Sequence, residues 1–241
     1  VERNARLRER QALFEIGPVY LGSEDSNLPE EQPRLVVVMT GPRALPAWQS
    51  ADSTLMDFYD LKGLLAALFD ALHISEIHYE PHEHPSFHPG KCARVMVGEQ
   101  QLGVMGELHP LVRQRYDLQP AALLIADLDF KLLISAIPAL YPVQPVSTFP
   151  PVLEDLAVIV DEAVPAVRVE EVLRQGAGKM LAGLRLFDVY RGEQIGAGKK
   201  SLAYGLSYQA PDRTLTDQET QQLRQRIIRR LDQELGAKLR T

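Results

Sequence analysis

The sequence has little of what several function classes require. Only one of its 241 residues is a cysteine, Cys92. No intrachain disulfide can form, and that usage suits a reducing cytosol. No stretch reaches the roughly 18 consecutive apolar residues that a membrane span needs. The densest, residues 63–74, is interrupted by Asp70 and His73. The first residues carry no signal-peptide pattern. The chain starts at Val1 rather than methionine, which suggests a piece of something longer. No repeat with a period of roughly 20–50 residues is present. An excess of positive charge is also missing. The formal net charge is −6, a balance that does not announce a nucleic-acid binder. The deficit is uneven: residues 1–147 hold 12 Lys+Arg against 19 Asp+Glu, a net −7, and residues 148–241 hold 14 against 13, a net +1. Of the two parts, the C-terminal one is the less unfavourable for meeting phosphates.

What is present is ordinary globular material, 45% hydrophobic and 24% charged, enough for a packed core. Residues 138–151 contain five prolines, Pro138, Pro142, Pro145, Pro150 and Pro151. Proline fixes φ and removes a backbone donor, so this stretch reads as a linker between two domains. Before it, residues 13–21 and 35–39 read as strands, the first interrupted at Gly17-Pro18. Residues 57–72 read as a helix, with Leu61, Leu64, Leu65, Leu68 and Leu72 at helical spacing. Residues 93–97 and 101–107 read as paired strands around Gly98-Glu99, and residues 123–130 as another strand. Adjacent strands with few crossover helices favour an antiparallel α+β domain.

After the linker the pattern is cleaner. Residues 156–160 alternate as a strand, and residues 167–173 fit a helix stopped by Gly176 and Gly178. Residues 181–190 and 201–209 are strands joined by a turn with Gly192, Gly196 and Gly198. Thr216-Asp217-Gln218-Glu219 is a capping box, opening a helix with Leu223, Ile227, Leu231 and Leu235 at i, i+4 spacing. It ends near Gly236, with a short strand expected at residues 238–240. The order β-α-β-β-α-β is the ferredoxin-like arrangement, which by itself settles no function.

Several residues invite chemistry. His78, His82, His84 and His88 suggest a metal site. Pro81, Pro85 and Pro89 argue against a helix there and no cysteine assists, so a loop of solvated or packing histidines is expected. Asp57, Asp60, Glu107 and His109 could do acid/base work; Asp57, at a helix start, is better read as a cap. Arg6, Arg8 and Arg10 precede the first strand and could mimic phosphate-holding arginines. The glycines from Gly192 to Lys200 suggest a phosphate loop, but Gly192 and Gly198 are separated by five residues and a strand follows, so a hairpin connection is expected. Asp188 and Tyr190 share one strand face, opposite Phe187 and Val189. Helices cover one side of a ferredoxin-like sheet, so an exposed tyrosine on the other side could stack on an unpaired base beside a hydrogen-bonding carboxylate. Without a ligand they are simply an exposed pair. Strict alternation would put Leu184 and Leu186 on that same face, a conflict that a bulge or partial cover by the other domain would resolve.

Seven strings, in order, carry a resemblance. They are Leu13-Phe14-Glu15-Ile16-Gly17, Phe58-Tyr59-Asp60-Leu61-Lys62-Gly63, Phe87-His88-Pro89-Gly90 with Gly103-Val104-Met105-Gly106-Glu107-Leu108-His109-Pro110, Leu186-Phe187-Asp188-Val189-Tyr190-Arg191-Gly192, Gly198-Lys199-Lys200-Ser201-Leu202-Ala203-Tyr204, and Asp212-Arg213-Thr214-Leu215-Thr216-Asp217. From residue 13 to the end the chain resembles the C-terminal portion of the bacterial phenylalanyl-tRNA synthetase β-subunit family. The resemblance implies a partial class II synthetase-like antiparallel sheet module over 1–147, without an active site, and a ferredoxin-like βαββαβ anticodon-binding domain over 148–241. It implies tRNA(Phe) and an α subunit as partners in an α2β2 heterotetramer in the cytoplasm. ATP and Mg2+ serve the complete enzyme on the α subunit, and neither is expected to bind this chain. It implies that Asp188 and Tyr190 meet the first anticodon base, a guanine. Arg191, Lys199, Lys200, Ser201 and Arg213 are further RNA-binding candidates in the same strings. No catalytic or metal residue is expected. One departure stands out: the family commonly has two basic residues where this chain has Leu153-Glu154 before Asp155, leaving no cation there for a phosphate. Two other classes remain open at this point: an amino-acid-sensing ferredoxin-like module, and a metal-dependent hydrolase built on the histidines. The apolar helix at residues 57–72 further suggests that the first domain exposes an apolar patch that partner domains or the α subunit cover.

Overall fold

The computed structural model describes residues 1–22, 28–49, 51–118, 122–141, 143 and 147–240. The chain divides into two units, Val1–Pro142 and Val143–Thr241. Of the linker prolines, Pro142 and Pro145 lie outside the described residues.

The first unit runs α1 (Glu2–Ala5), β1 (Gln11–Leu21), β2 (Glu30–Thr40), α2 (Phe58–Ala71), β3 (Ile77–Pro81), β4 (Phe87–Val97), β5 (Gln100–Leu108), α3 (Pro110–Arg115), β6 (Leu124–Asp129) and α4 (Phe130–Ser135). Its six strands form one antiparallel sheet in the order β1-β2-β6-β5-β4-β3. Leu35, Val37 and Met39 of β2 meet Leu61, Leu65 and Phe69 of α2 in the core, with Val95, Leu102, Met105, Leu124, Ala126 and Leu128 from the sheet. The helix expected at 57–72 is α2, and Asp57 caps it: its carboxylate accepts from the amides of Tyr59 and Asp60, while Asp60 accepts from the amide of Asp57. Several strands, β1, β2 and β4 among them, are longer than the sequence pattern indicated. β1 runs through Gly17-Pro18 without a break, because Pro18 sits on the sheet's outer strand, opposite Pro33, where a missing donor does little harm. The stretch read as a histidine loop is partly strand, with His78 on β3 and His88 on β4.

The second unit runs β7 (Val152–Asp161), α5 (Ala166–Ala177), β8 (Leu181–Tyr190), β9 (Lys199–Tyr208), α6 (Asp217–Leu235) and β10 (Lys238–Leu239). The sheet order is β10-β7-β9-β8, the ferredoxin-like α+β topology. Both helices lie on one face. Val169, Val172 and Leu173 of α5 and Leu223, Ile227 and Leu231 of α6 pack on Leu156, Val158, Val160, Leu202, Tyr204, Leu206 and Tyr208. The Thr216 hydroxyl accepts from the amide of Glu219, whose carboxylate accepts from the amide of Thr216. Gly176 does not stop α5, as its sequence position suggested. The helix continues to Ala177 and ends at Gly178, which has φ 59°. Gly176 is needed elsewhere: a Cβ there would stand 3.0 Å from Ile227 Cγ1, so the glycine lets α5 and α6 approach closely.

Candidate nucleic-acid interface

Residues paired across an antiparallel ladder share a face, so the register of the C-terminal sheet fixes what its helix-free face presents. One row across the sheet is Asp188, Ala203 and Ala157, continuing to Arg240, whose amide donates to the Ala157 carbonyl at 2.9 Å. The next row is Tyr190, Ser201, Ile159 and Lys238. Below them lie Gly205, opposite Arg185 and Asp155, and Ser207 opposite Leu153. Serine, alanine and glycine therefore line β9 along this face, with Ile159, Ala157 and Asp155 beside them on β7, while Asp188, Tyr190 and Arg185 stand on the outer strand β8. Such a floor lets a flat ring lie close to the backbone.

The conflict over Leu184 and Leu186 is removed by a β-bulge. Leu186 pairs with Tyr204 and Asp188 with the next residue, Ala203, so Phe187 is an extra residue on β8. Leu184 and Leu186 pack on the helix-side core, and the extra residue turns Asp188 and Tyr190 to the other face. The alternation-based placement of Phe187 on the side away from Asp188 is thereby corrected. Phe187 Cδ1 lies 3.9 Å from where a Cβ on Gly205 would stand, on the helix-free face. Val189 does face away, opposite the buried Leu202.

Tyr190 has a partner that spacing could not indicate. The Arg240 guanidinium carbon lies 4.5 Å from the centre of its ring, a cation–π arrangement. Arg240 directly follows β10, remote in sequence and joined to Tyr190 only through the sheet. Ser201 lies between Tyr190 and Ile159 and is 2% exposed. Asp188, Tyr190 and Ser201 are thus brought together.

Arg191, Lys199 and Lys200 gather instead at the end of the sheet, around Glu162. Arg191 donates to both Glu162 carboxylate oxygens at 2.8–3.2 Å, and Lys200 Nζ donates to the Glu162 carbonyl at 2.8 Å. The Arg191 hydrogen bonds hold the Glu162 carboxyl below the usual carboxylate range. Glu162, Arg191, Lys199 and the Gly192–Gly198 turn line a cavity of about 580 Å³. Arg213 is elsewhere, beyond the far end of β9, paired with Glu219 at 2.7 Å and with Asp212. Leu153 and Glu154 also diverge. Leu153 is exposed on the helix-free face, and Glu154 faces the helices, paired with Arg224 at 2.9 Å.

The other sequence candidates do local work. Arg43 binds Asp60 at 2.9 Å and also Asp52 and Asp57. Its hydrogen bond holds the Asp60 carboxyl down. Arg10 Nε donates to the Arg43 carbonyl, Glu107 pairs with Lys91, and His109 caps α3 by accepting from the amide of Leu111. The histidines do not converge: the Ser86 amide donates to His84 Nδ1, and His88 Nδ1 lies 2.6 Å from the Pro89 carbonyl. Among the described residues no group of three or more His, Cys, Asp or Glu is placed to hold a metal, and no helix is long and apolar enough to cross a membrane.

Two family profiles match the chain: "Phenylalanyl tRNA synthetase beta chain CLM domain" over residues 1–130, and "Ferredoxin-fold anticodon binding domain" over residues 147–240. Curated relatives include the phenylalanine–tRNA ligase β subunit of Symbiobacterium thermophilum, 40% identical over 100% of this chain and 27% of the relative. Those of Clostridium tetani and Syntrophotalea carbinolica are 39% and 40% identical, over 95% of this chain and 27% and 28% of theirs. The chain thus spans little more than a quarter of the relatives' length. The solved pyrrolysyl-tRNA synthetase of Desulfitobacterium hafniense overlays 55% of this chain and 43% of its own at 16% identity and a TM-score of 0.40.

Proposed function

The chain belongs to the phenylalanyl-tRNA synthetase β-chain family, and on that premise we propose that it is the C-terminal part of the β subunit of a cytoplasmic phenylalanine–tRNA ligase. In this reading residues 1–147 are a catalytic-like module without an active site, which supports the α subunit in an α2β2 enzyme. Residues 148–241 bind the anticodon of tRNA(Phe). The ATP- and Mg2+-dependent chemistry falls to the α subunit. The observation that carries the reading is the helix-free sheet face, where Tyr190 and Asp188 flank a floor of Ser201, Ala203 and Ala157. A splayed base stacks on the tyrosine ring, worth about 1–3 kcal/mol. A carboxylate accepts from N–H donors on a base edge, which favours guanine over bases that lack them there. Arg240, already against the ring, supplies a planar cation for the base or its phosphate. Arg191, Lys199 and Lys200 meet the RNA backbone, a phosphate taking the place that the Glu162 carboxylate holds in the free protein. Arg213 serves the same backbone elsewhere. An amino-acid-sensing module is not favoured, because residues 147–240 match an anticodon-binding profile.

The test is a titration of the chain with tRNA(Phe) and with the same tRNA altered at its first anticodon base, at two salt concentrations. Tyr190→Ala is expected to weaken binding by about 1–3 kcal/mol. Asp188→Ala is expected mainly to flatten the preference at the altered base, by about 1–3 kcal/mol. Lys199→Ala is expected to weaken both tRNAs alike and make the salt dependence shallower. Unchanged affinity and base preference in both Tyr190→Ala and Asp188→Ala would remove the anticodon from this face.

A further inference from the structure

The bulge creates a second aromatic and carboxylate pair on the helix-free face. Phe187, the extra residue of β8, is 48% exposed. Its ring reaches over Gly205, where no side chain intervenes. Asp155 of β7, paired with Gly205, approaches the same point from the other side: its Oδ1 lies 3.5 Å from where a Gly205 Cβ would stand, against 3.9 Å for Phe187 Cδ1. An exposed phenyl ring and an exposed carboxylate thus flank a floor without a side chain. This repeats, in the next row along the sheet, the arrangement of Tyr190 and Asp188 over Ser201 and Ala203.

The spacing fits a nucleic acid strand. Gly205 and Ala203 are two residues apart on β9, about 7 Å at roughly 3.3–3.4 Å per residue, which is within the reach of neighbouring nucleotides on an extended backbone. Phenylalanine offers a stacking face but no hydrogen bond, so it accepts any base. The carboxylate accepts only, so it selects bases whose exposed edge carries an amino or ring N–H donor.

We propose that Phe187, Asp155 and the bare floor at Gly205 form a second base subsite, which takes an unpaired, amino-bearing base adjacent to the one on Tyr190. This rests on the anticodon reading above, and it adds a contact to a base other than the first. The bulge then has two consequences: it turns Asp188 and Tyr190 to the RNA side and places Phe187 beside them.

The experiment uses the 241-residue chain and RNA hairpins carrying the phenylalanine anticodon loop, either intact or abasic at one anticodon position. Phe187→Ala is expected to weaken the intact hairpin by roughly 5- to 150-fold, the equivalent of about 1–3 kcal/mol of lost stacking. That loss disappears when the hairpin is abasic at one position other than the first. Phe187→Tyr retains wild-type binding. Asp155→Asn weakens the intact hairpin but not the same abasic one. The Tyr190→Ala loss, in contrast, disappears only in the hairpin abasic at the first position. If wild type and Tyr190→Ala behave as stated while Phe187→Ala and Asp155→Asn bind like wild type, the second subsite alone is wrong. It is equally wrong if the Phe187 loss persists in every hairpin or vanishes only with the first base. If wild type does not bind the intact hairpin, the anticodon reading fails and the subsite falls with it.

Discussion

Glu219 shows how one side chain ties helix initiation to pH. Its carboxylate accepts from the amide of Thr216, from the Thr216 hydroxyl and from Arg213. The backbone donor is the largest cause, followed by Arg213, and together they hold the carboxyl down to about 2. A carboxyl depressed in the folded state contributes stability that is complete above its unfolded value. That stability is lost as pH falls through the folded value. For Glu219 the window runs from about 4.5 down to about 2. Glu219→Gln keeps a cap acceptor but removes the titration. Melting temperatures measured at pH 6 and pH 3 are expected to fall further for wild type than for Glu219→Gln. Equal falls would mean that this carboxylate is not coupled to folding. The same residue shows why charge type alone misleads about RNA contacts. Arg213 lies in a family string, yet in the free protein it is engaged with the carboxylate that starts α6.

At the scale of elements, the bulge on β8 decides what the site is made of. Deleting Phe187 leaves Leu186 opposite Tyr204 and Asp188 opposite Ala203, the pairing already present, so the strand becomes regular without changing faces. Deleting Val189 has no such solution: either the Asp188 carboxylate or the Tyr190 ring must take a place opposite the buried Leu202. The Phe187 deletion is expected to unfold cooperatively near the wild-type temperature. The Val189 deletion is expected to melt lower than the Phe187 deletion, because it alone forces a side chain onto the wrong face of β8. Thermal melts followed by circular dichroism decide it, and comparable losses in the two deletions would count against the assigned register. This also marks the limit of what the sequence shows. The alternation on β7 and β9, the capping box of α6 and the apolar stripe of α2 are local patterns with one reading each. The bulge is not, because Phe187 is neither glycine nor out of place in a strand, and only pairing with β9 shows it to be extra. Arg240 was illegible for a related reason: it follows a strand only two residues long and meets Tyr190 only across the assembled sheet. The short helices α3 and α4 each follow a capping side chain, His109 or Asp129, too brief a signal for periodicity.

For the whole molecule the informative surface is the outer strand of the first unit. The buried residues of its core lie between Leu35 and Leu133, and those of the second core between Leu156 and Ala237, so neither core draws on the other's residues. β1 contributes no apolar residue to the buried core although it is 11 residues long. It exposes Leu13, Val19 and Leu21 on one face and Phe14, Ile16 and Tyr20 on the other, with Phe14 at 74%. A long apolar strand at a sheet edge is an aggregation hazard unless something covers it. In the proposed α2β2 enzyme the occupant is the α subunit, which removes the exposed rings from water at roughly 25 cal/mol per Å² of apolar surface. Phe14 and Ile16 pair with the buried Val37 and Leu35, whereas Leu13 and Val19 pair with Val38 and Gln32 on the other face. The double variant Leu13→Asp with Val19→Asp therefore puts two charges on β1 away from the buried core. The chain is expected to keep its own melting temperature within about 1–2 °C, since exposed substitutions change stability by only about 0.5 kcal/mol. It is expected to gain solubility and to stop co-purifying with the α subunit when the two are co-expressed. Binding of the anticodon hairpin is expected to stay at the wild-type level, because that face belongs to the second unit. If the double variant still co-purifies with the α subunit in wild-type proportion, β1 is not the strand that the α subunit covers.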